Sequence, residues 1–424
     1  MNLNMKLKEY KLGDLIEVTR GMSLPGEFYS TEGEYIRLTC GNFDYVNNSF
    51  KENKSKDDLY YVGKIKPEFI MEKGDIITPL TEQAIGLLGS TAIIPESGKY
   101  IQSQDVAKVT CKKGMIDHDF AYYLIPSKCV KEQLSAAAQQ TKIRHTSPDA
   151  IKACKVFVPP LSEQKKIASV LSTLDDKITL NKKMNQKLEA MTKRLYDYWF
   201  VQYDFPDKNG LPYKTTGGPM TYNPTLKREI PEGWEVSNIC PLMEILPGGT
   251  PSKAKPEYWN GDIPFFGPTD YCGDVFQLST EEHITENGLN NCASALYPPK
   301  TIFITARGSV GKLIVCGKPM AMNQSCYALK PFDLEKYEYL FYLTKQLIEQ
   351  LKKKGSGSVF KSINTLDIEQ SFLSIAPNEI IDLYCKKMKS IFDRIKSNTI
   401  EISKLTTLRN KLLPLLMNGQ VVVE

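Results

Sequence analysis

The chain has 424 residues, 42% of them hydrophobic and 24% charged, and a formal net charge of +5. This length exceeds one ordinary domain, and the composition excludes a disordered or collagen-like chain. The sequence has no run of about 18 apolar residues and begins with a polar, lysine-containing stretch from Met1 to Tyr10. We therefore expect a cytoplasmic protein without a membrane span or a secretory signal. The charge favours a polyanionic partner but is too small to establish nucleic-acid binding.

The first predicted element is a globular domain over residues 1–160. Short apolar runs, such as Ile76-Ile77 and Val156-Phe157-Val158, lie between Gly and Pro residues and predict strands. A helical stretch runs from Phe120 to Ala138. The combination predicts a mixed α+β domain.

A long helix is predicted next, over residues 161–203. Pro159-Pro160 end the preceding segment, and apolar residues then recur at alternating spacings of three and four between charged ones. This is the heptad pattern of a coiled coil. The seam positions on this helix are Ile167, Leu171, Leu174, Ile178, Asn181, Leu188 and Leu195.

Residues 204–229 are rich in Pro and Gly and predict a linker. A second mixed α+β domain, over residues 230–377, begins at Ile230-Pro231-Glu232-Gly233-Trp234 and has a helical stretch from Tyr337 to Lys354. A second heptad helix with a C-terminal tail covers residues 378–424. Its seam positions are Met388, Ile391, Ile395, Asn398, Ile402, Leu405 and Leu412.

The second half of the chain repeats the first. An offset of 217 residues aligns 141–200 with 358–417 without a gap. The first helix carries the chain away from the first domain, and a second helix packed on it most simply runs back. We therefore predict two similar mixed α/β domains joined by two long antiparallel coiled-coil helices, with pseudo-twofold symmetry. Asn181 and Asn398 occupy equivalent seam positions, where a buried Asn pair fixes the register or the seam is simply hydrated.

Catalytic motifs are missing from the sequence. It has no G-x-x-x-x-G-K-[ST], G-x-S-x-G or H-E-x-x-H pattern, its ten cysteines form no C-x-x-C pair, and its three histidines are scattered. We expect no catalytic site, no metal and no other cofactor in this chain, and thiols that are reduced and mostly buried.

A duplicated, mildly basic protein with two spaced domains suits DNA, in which half-sites on one face lie about 34 Å apart or a multiple of that. Because the domains differ, the two half-sites should differ as well.

Three segments carry a resemblance to a known family: Pro159-Pro160-Leu161-Ser162-Glu163-Gln164, Ile230-Pro231-Glu232-Gly233-Trp234, and Leu412-Leu413-Pro414-Leu415-Leu416-Met417-Asn418-Gly419. Together with the internal repeat, they resemble the specificity subunits of type I restriction–modification systems over essentially the whole chain. The start of the second helix, Pro377-Asn378-Glu379-Ile380, departs from the pattern of the first.

The resemblance implies that residues 1–160 and 230–377 are target-recognition domains and that the two helices are spacers. Two DNA-methyltransferase subunits, which bind S-adenosylmethionine and methylate adenine N6, would dock on the spacers. Restriction subunits that use ATP and Mg for translocation and cleavage would join them. This chain would supply no catalytic residue.

Residues that contact double-stranded DNA are expected in a loop that follows a strand in each domain and in a segment just before the last strand of each domain. Arg307 is suited to bidentate bonding with guanine, and the alternatives are a phosphate contact or an ordinary surface arginine. Gln83 is suited to adenine, whereas Lys142, Arg144 and Lys361 favour phosphate contacts. The full set of candidates is Thr81, Gln83, Lys142, Arg144, Arg307, Ser309, Lys312, Ser356, Ser358 and Lys361.

A competing hypothesis is a coiled-coil scaffold whose two domains bind proteins and not DNA. Heptads usually serve association, and the net charge is modest. The two hypotheses differ in salt dependence, because phosphate contacts make DNA affinity fall steeply as salt rises.

Overall fold

The computed structural model describes residues 6–82, 86–137, 144–354 and 362–423. The chain forms two compact units, one made of Met1–Asp176 with Leu405–Glu424 and the other of Lys177–Lys404. The division falls inside both long helices, so the first unit is built from two separate parts of the chain.

The first unit has many short strands and a few helices. Its strands are β1 (Lys8–Lys11), β2 (Ile16–Arg20), β3 (Tyr29–Ser30), β4 (Tyr35–Arg37), β5 (Phe43–Asp44), β6 (Ser49–Phe50), β7 (Tyr60–Tyr61), β8 (Ile76–Pro79), β9 (Thr81–Glu82), β10 (Ala92–Ile93), β11 (Tyr100–Ile101), β12 (Val106–Cys111), β13 (Arg144–His145) and β14 (Lys155–Val158). Its helices are α1 (Leu12–Leu15), α2 (His118–Leu124), α3 (Lys128–Ala137), α4 (Pro148–Ala153) and the first part of α5 (Leu161–Tyr196).

The main sheet of the first unit has the order β10-β8-β12-β2, and all its pairings are antiparallel. Every residue of β8 is buried, as expected for a central strand. The core beside this sheet also takes in Phe120 of α2 and Val156 of β14. Strand β1 pairs with β14, which fixes the N-terminal segment beside the last strand before the long helix.

The second unit repeats this plan with longer strands. Its strands are β15 (Met220–Asn223), β16 (Arg228–Pro231), β17 (Glu235–Ser237), β18 (Met243–Pro247), β19 (Trp259–Phe266), β20 (Phe276–Gln277), β21 (His283–Ile284), β22 (Ile302–Thr305), β23 (Leu313–Cys316), β24 (Ala321–Met322), β25 (Cys326–Pro331) and β26 (Leu373–Ile375). Its helices are the rest of α5, α6 (Glu286–Asn290), α7 (Tyr337–Lys354), α8 (Thr365–Glu369) and most of α9 (Asn378–Met417), whose last part belongs to the first unit.

The main sheet of the second unit has the order β18-β25-β22-β23-β20, with the fully buried β22 at its centre. Strand β17 pairs with β26, as β1 pairs with β14 in the first unit. The core combines this sheet with aromatic side chains from three helical segments, among them Phe200, Tyr339 and Tyr384. The prediction of two similar mixed α/β domains is confirmed.

The two long helices run antiparallel within each unit. In the second unit, the Asn181 side chain donates to Glu401 (3.0 Å), Asn398 donates to Asn185 (2.9 Å), and the Tyr384 hydroxyl donates to the Thr192 carbonyl (3.3 Å). Residue numbers therefore rise along α5 while they fall along α9. The predicted antiparallel pairing is confirmed. In the first unit the ion pair between Asp175 and Arg409 (2.8 Å) joins the same two helices.

The predicted seam residues line this pairing. Buried ones are Ile167, Leu171, Ile178, Asn181, Met388, Ile395, Asn398 and Ile402, and half-buried ones are Leu174, Leu188, Leu195, Ile391, Leu405 and Leu412. Asn181 and Asn398 do not bond to each other. Asn398 donates to Asn185, whose Nδ2 in turn donates to Thr399 (3.2 Å), so these buried polar side chains have hydrogen-bond partners.

The segment predicted as a linker is a packed part of the second unit. Strands β15 and β16 within it form a hairpin, and the rings of Phe205 and Tyr213 stack with centroids 4.6 Å apart. Phe205 also stacks on Trp234 at 5.4 Å. The Pro and Gly residues here make tight turns in an ordered segment. None of the described helices is long and apolar enough to cross a membrane.

Candidate nucleic-acid interface

The turn after the central strand has the same backbone pattern in both units. In the first, Thr81 pairs with His145, and in the second, Arg307 pairs with Ser362. His145 and Ser362 are 217 residues apart, which is the offset of the repeat. One residue earlier, the carbonyls of Leu80 and Ala306 accept equivalent backbone bonds, each 2.9 Å long. Thr81 and Arg307 therefore occupy the same position in the two units.

In the first unit this position is closed to solvent. Thr81 is only 8% exposed, and its hydroxyl donates to Asp105 (3.1 Å) and lies 3.3 Å from Nδ1 of His145. Beside it, Arg144 forms an ion pair with the buried Glu82 at 3.5 Å and donates to Ser135 (3.2 Å). The polar groups of Thr81 and Arg144, which the sequence analysis assigned to DNA contact, thus bond to side chains within the unit. Their role in DNA contact stays a prediction.

In the second unit the same position is open. Arg307 and Ser309 are both exposed, and no carboxylate among the described residues forms an ion pair with Arg307. The turn itself is ordered, because the Thr305 hydroxyl donates to the Ser309 carbonyl (2.6 Å) and accepts from the Lys312 backbone N–H (2.9 Å). A free guanidinium on an ordered turn is suited to bidentate bonding with a base or a phosphate.

Two lysines beside these turns were missed from the sequence. The exposed Lys352 of α7 lies close to Gly311 of the turn, which has a φ of +79°. A Cβ added to this glycine would lie 3.0 Å from Cε of Lys352. In the first unit, a Cβ on Gly89 would lie 3.1 Å from Cγ of Lys131 in α3, and burial lowers the pKa of that lysine. The run Lys352-Lys353-Lys354 at the end of a predicted helix was the available signal.

The remaining candidates divide into two groups. Lys312 is exposed and lies over the ring of Tyr271, with Nζ 5.2 Å from the ring centroid. Gln83, Lys142, Ser356, Ser358 and Lys361 lie outside the described residues.

The described residues contain no group of three or more His, Cys, Asp or Glu side chains that could hold a metal ion. All ten cysteines are free, and burial raises the pKa of Cys40 and Cys154 to about 11, which makes these thiols poor nucleophiles.

Comparisons with known proteins agree in pointing to one family. A family model described as the type I restriction modification DNA specificity domain matches residues 4–190 and 231–412, which is most of the chain in two copies. The chain is similar to the type I restriction enzyme HindI specificity subunit of Haemophilus influenzae, with 26% identity over 98% of this chain and 99% of the relative.

Two further matches extend this finding. The type I restriction enzyme MjaIX specificity subunit of Methanocaldococcus jannaschii is 26% identical over 99% of this chain and 89% of the relative. The crystal structure of the S subunit of a type I restriction–modification system from M. genitalium matches with a TM-score of 0.59 and 17% identity, covering 98% of this chain and 97% of the other. At that identity the structural match supports the fold alone.

Proposed function

Because the chain belongs to the type I restriction–modification DNA specificity family, we propose that its two units read the two unlike halves of a bipartite, asymmetric DNA site. A specificity subunit provides DNA sequence recognition and is the non-catalytic member of its complex. We propose with it that residues 1–160 and 230–377 are the two recognition domains. Residues 161–203 and 378–424 are the spacer helices, the latter with the C-terminal tail, and residues 204–229 connect the first helix to the second domain.

One observation carries the proposal of unlike half-sites. The repeat places Thr81 and Arg307 at the same position, yet one is buried among internal partners and the other is a free cation. Two units that present different groups from the same backbone position recognise different base edges. Arg307 is the proposed base contact, and Lys312 and Lys352 are the proposed phosphate contacts beside it.

The partners follow from the same proposal. Two DNA-methyltransferase subunits dock on the paired helices and methylate adenine N6 within the site. S-adenosylmethionine, ATP and Mg are bound by the methyltransferase and restriction subunits and not by this chain, and the complex acts in the cytoplasm.

The direct test is to map methylated adenines in DNA exposed to the methyltransferase subunit with and without this chain. We expect methylation in two short motifs at a fixed separation, only when the chain is present. Exchanging residues 1–160 for those of another family member should change one motif and leave the other. A change in both motifs, or in neither, overturns the two-domain proposal. DNA affinity that does not respond to salt would favour the protein-binding scaffold instead.

A further inference from the structure

Each unit carries an exposed glutamine in a tight turn just before the strand that pairs with the central strand. Residues 103–106 of the first unit and 323–326 of the second each form a four-residue turn. In both, the backbone N–H of the last residue donates to the carbonyl of the first, at 3.1 and 3.2 Å. The second residue of the turn is Gln104 in one unit and Gln324 in the other, and both are exposed.

The backbone contacts of the two turns show that they are copies of one turn. The carbonyl of the third turn residue accepts from Leu80 in the first unit (2.8 Å) and from Ala306 in the second (2.7 Å). The carbonyl of the last residue accepts from Gly21 and from Gly248, at 3.3 and 3.1 Å. Both glycines lie so close to the carbonyl of the first turn residue that neither has room for a Cβ. The two glutamines are therefore at the same position of the repeated fold.

The glutamine is the one side chain that the two turns share. The turn reads Ser-Gln-Asp-Val in the first unit and Asn-Gln-Ser-Cys in the second. The usual residues of tight turns are Gly, Pro, Asn, Asp and Ser, because these residues supply the backbone angles or the local hydrogen bonds that a turn needs. Turn formation therefore does not explain a glutamine at this position in both units.

In the first unit the fold uses the side chains on either side of the glutamine but not the glutamine itself. The hydroxyl of Ser103 donates to the Leu38 carbonyl (2.6 Å). The carboxylate of Asp105 accepts from the hydroxyl of Thr81 (3.1 Å). The carboxamide of Gln104 forms no hydrogen bond with any residue that the structure describes, and it is exposed. Its donor and acceptor groups are therefore available to a ligand.

In the second unit the carboxamide is held next to the turn of Arg307. The hydroxyl of Thr250 donates to Oε1 of Gln324. This bond leaves one lone pair of Oε1 and both hydrogens of Nε2 free. The backbone N–H of Arg307 donates to the carbonyl of Ser325, the residue that follows the glutamine (3.2 Å). Gln324 therefore lies on the turn that adjoins the proposed base contact.

A free carboxamide has the hydrogen-bonding groups that recognise adenine. In the major groove its oxygen accepts from N6 of the base and its nitrogen donates to N7, which pairs glutamine with adenine in the way that arginine pairs with guanine. Phosphate contacts would favour a cation at this position. The same side chain at the same backbone position in both units indicates the same base contact, although the neighbouring turn carries different residues.

We propose that Gln104 and Gln324 each read one adenine through paired bonds to N6 and N7, so that the two otherwise unlike half-sites share an A·T pair at the equivalent position. This inference rests on the proposed function and names a base that each unit requires. The carboxamide provides the same recognition in both units, and the group at the adjoining turn provides the difference between them.

The test uses the full chain with the methyltransferase subunit, after mapping of methylated adenines has defined the site. Affinity is then measured for a panel of duplexes, each with one base pair of the site replaced. We expect Gln324→Ala to weaken binding at least about fivefold and to accept every base pair at one position of one half-site, where the wild type requires adenine. Gln104→Ala should do the same at one position of the other half-site. Gln202→Ala, at an exposed glutamine outside the two turns, is the matched control and should change neither affinity nor preference.

Two further measurements test the geometry of the contact. Gln324→Glu should shift the preference at that position from adenine to cytosine, because a carboxylate accepts from N4 of cytosine. Replacing that adenine with 7-deazaadenine removes the N7 acceptor and keeps the base pair. We expect this replacement to weaken binding of the wild type but not to weaken Gln324→Ala further, since the two changes remove the same bond. Unchanged thermal unfolding shows that each variant is folded.

The outcomes distinguish this inference from the proposed function. If the wild-type chain neither binds DNA nor directs methylation, the proposed function fails and the inference fails with it. If methylation occurs in two motifs but both alanine variants keep the wild-type base preference, the assignment of the glutamines is wrong and the proposed function stands. An equal loss of affinity across the whole panel would indicate phosphate contacts and would also overturn the assignment, as would relaxation at a base other than adenine or in the same half-site for both variants.

Discussion

The two units present different side chains from a turn that has the same backbone hydrogen bonds in both. At the turn after the central strand, the first unit has Thr81, which is bonded to Asp105 and next to His145, and the second has the exposed Arg307. The pairing of this turn with the segment before the last strand is the same in both. The two copies of the repeat therefore share the backbone hydrogen bonds of the turn and differ in the side chain that the turn carries. A change of this kind alters binding chemistry without disturbing the sheet.

The largest effect is expected from Arg307→Ala. If the guanidinium is bidentate to a guanine, affinity for the full site falls by about tenfold to a hundredfold, and base preference relaxes at one position in one half of the site. Binding to a panel of single-base variants at fixed salt measures both effects. Lys208→Ala, which removes another exposed cation of the same unit, is the control. An equal loss across all sequences would indicate a phosphate contact, and no loss would leave Arg307 an ordinary surface residue.

The next prediction concerns Glu338 of α7, a carboxyl group buried in the second unit. Glu338 is 3% exposed, and its Oε2 has no hydrogen-bond partner among the described residues. Burial raises the pKa of this carboxyl from its ordinary value of 4.5 to about 7. The folded protein therefore holds a proton that the unfolded chain releases between these two pH values.

Stability from this group is fully present below pH 4.5 and is lost as the pH rises through about 7. We expect Glu338→Gln to remove this loss, so that the variant gains on the order of 2 kcal/mol relative to the wild type between pH 4 and pH 8. Denaturant unfolding at a series of pH values measures the difference. Parallel pH profiles for the two proteins would contradict a buried, protonated Glu338.

Thr81→Val should affect folding and leave DNA recognition unchanged. The valine fills the same space but leaves the Asp105 carboxylate without the hydroxyl donor, so we expect a loss of about 1 kcal/mol in the free energy of unfolding. The methylated motif should stay the same. Ser309→Ala, at an exposed hydroxyl in the turn of the second unit, is the control and should not change stability. An altered motif in Thr81→Val would instead support the predicted DNA contact of this residue.

The smallest effect is expected at the two lysines that lie against the turns. Lys352→Ala should weaken DNA binding a few-fold for all sequences and reduce the slope of log affinity against log salt by about 1. Lys131→Ala should leave that slope unchanged, because this lysine is partly buried and packs its stem on Gly89. If the slope of log affinity against log salt were the same for Lys352→Ala and Lys131→Ala, the two lysines would not differ in their contact with DNA.

Much of the fold was predictable because patterns of apolar residues within one segment indicate the helix or strand that the segment forms. The heptad stretch predicted over 161–203 is observed as α5, Leu161–Tyr196, followed by a π-helical turn at Asp197–Val201. The apolar run Ile76-Ile77 lies in the buried strand β8. Both signals are local, and both elements bury the residues that form the pattern.

The pairing of individual residues was less predictable, because it depends on contacts between distant segments. The bond between Asn398 and Asn185 depends on the stagger of two antiparallel helices, which the sequence of either helix alone does not specify. The Pro and Gly residues at 204–229 indicate turns, but the stacking of Phe205 on Trp234 decides that the segment is packed. The burial of Thr81 depends on Asp105, 24 residues away, and no periodicity in the sequence indicates it.

The division of the chain inside its long helices has a consequence for biosynthesis. Leu416 and Met417 belong to the core of the first unit, so that unit lacks part of its interior until the codons for these two residues have been translated. All residues of the second unit, Lys177–Lys404, have been synthesised before then. Domains usually fold in the order of their synthesis. In this protein the ribosome completes the second unit first, and residues 1–176, although they are made earlier, wait for residues 405–424.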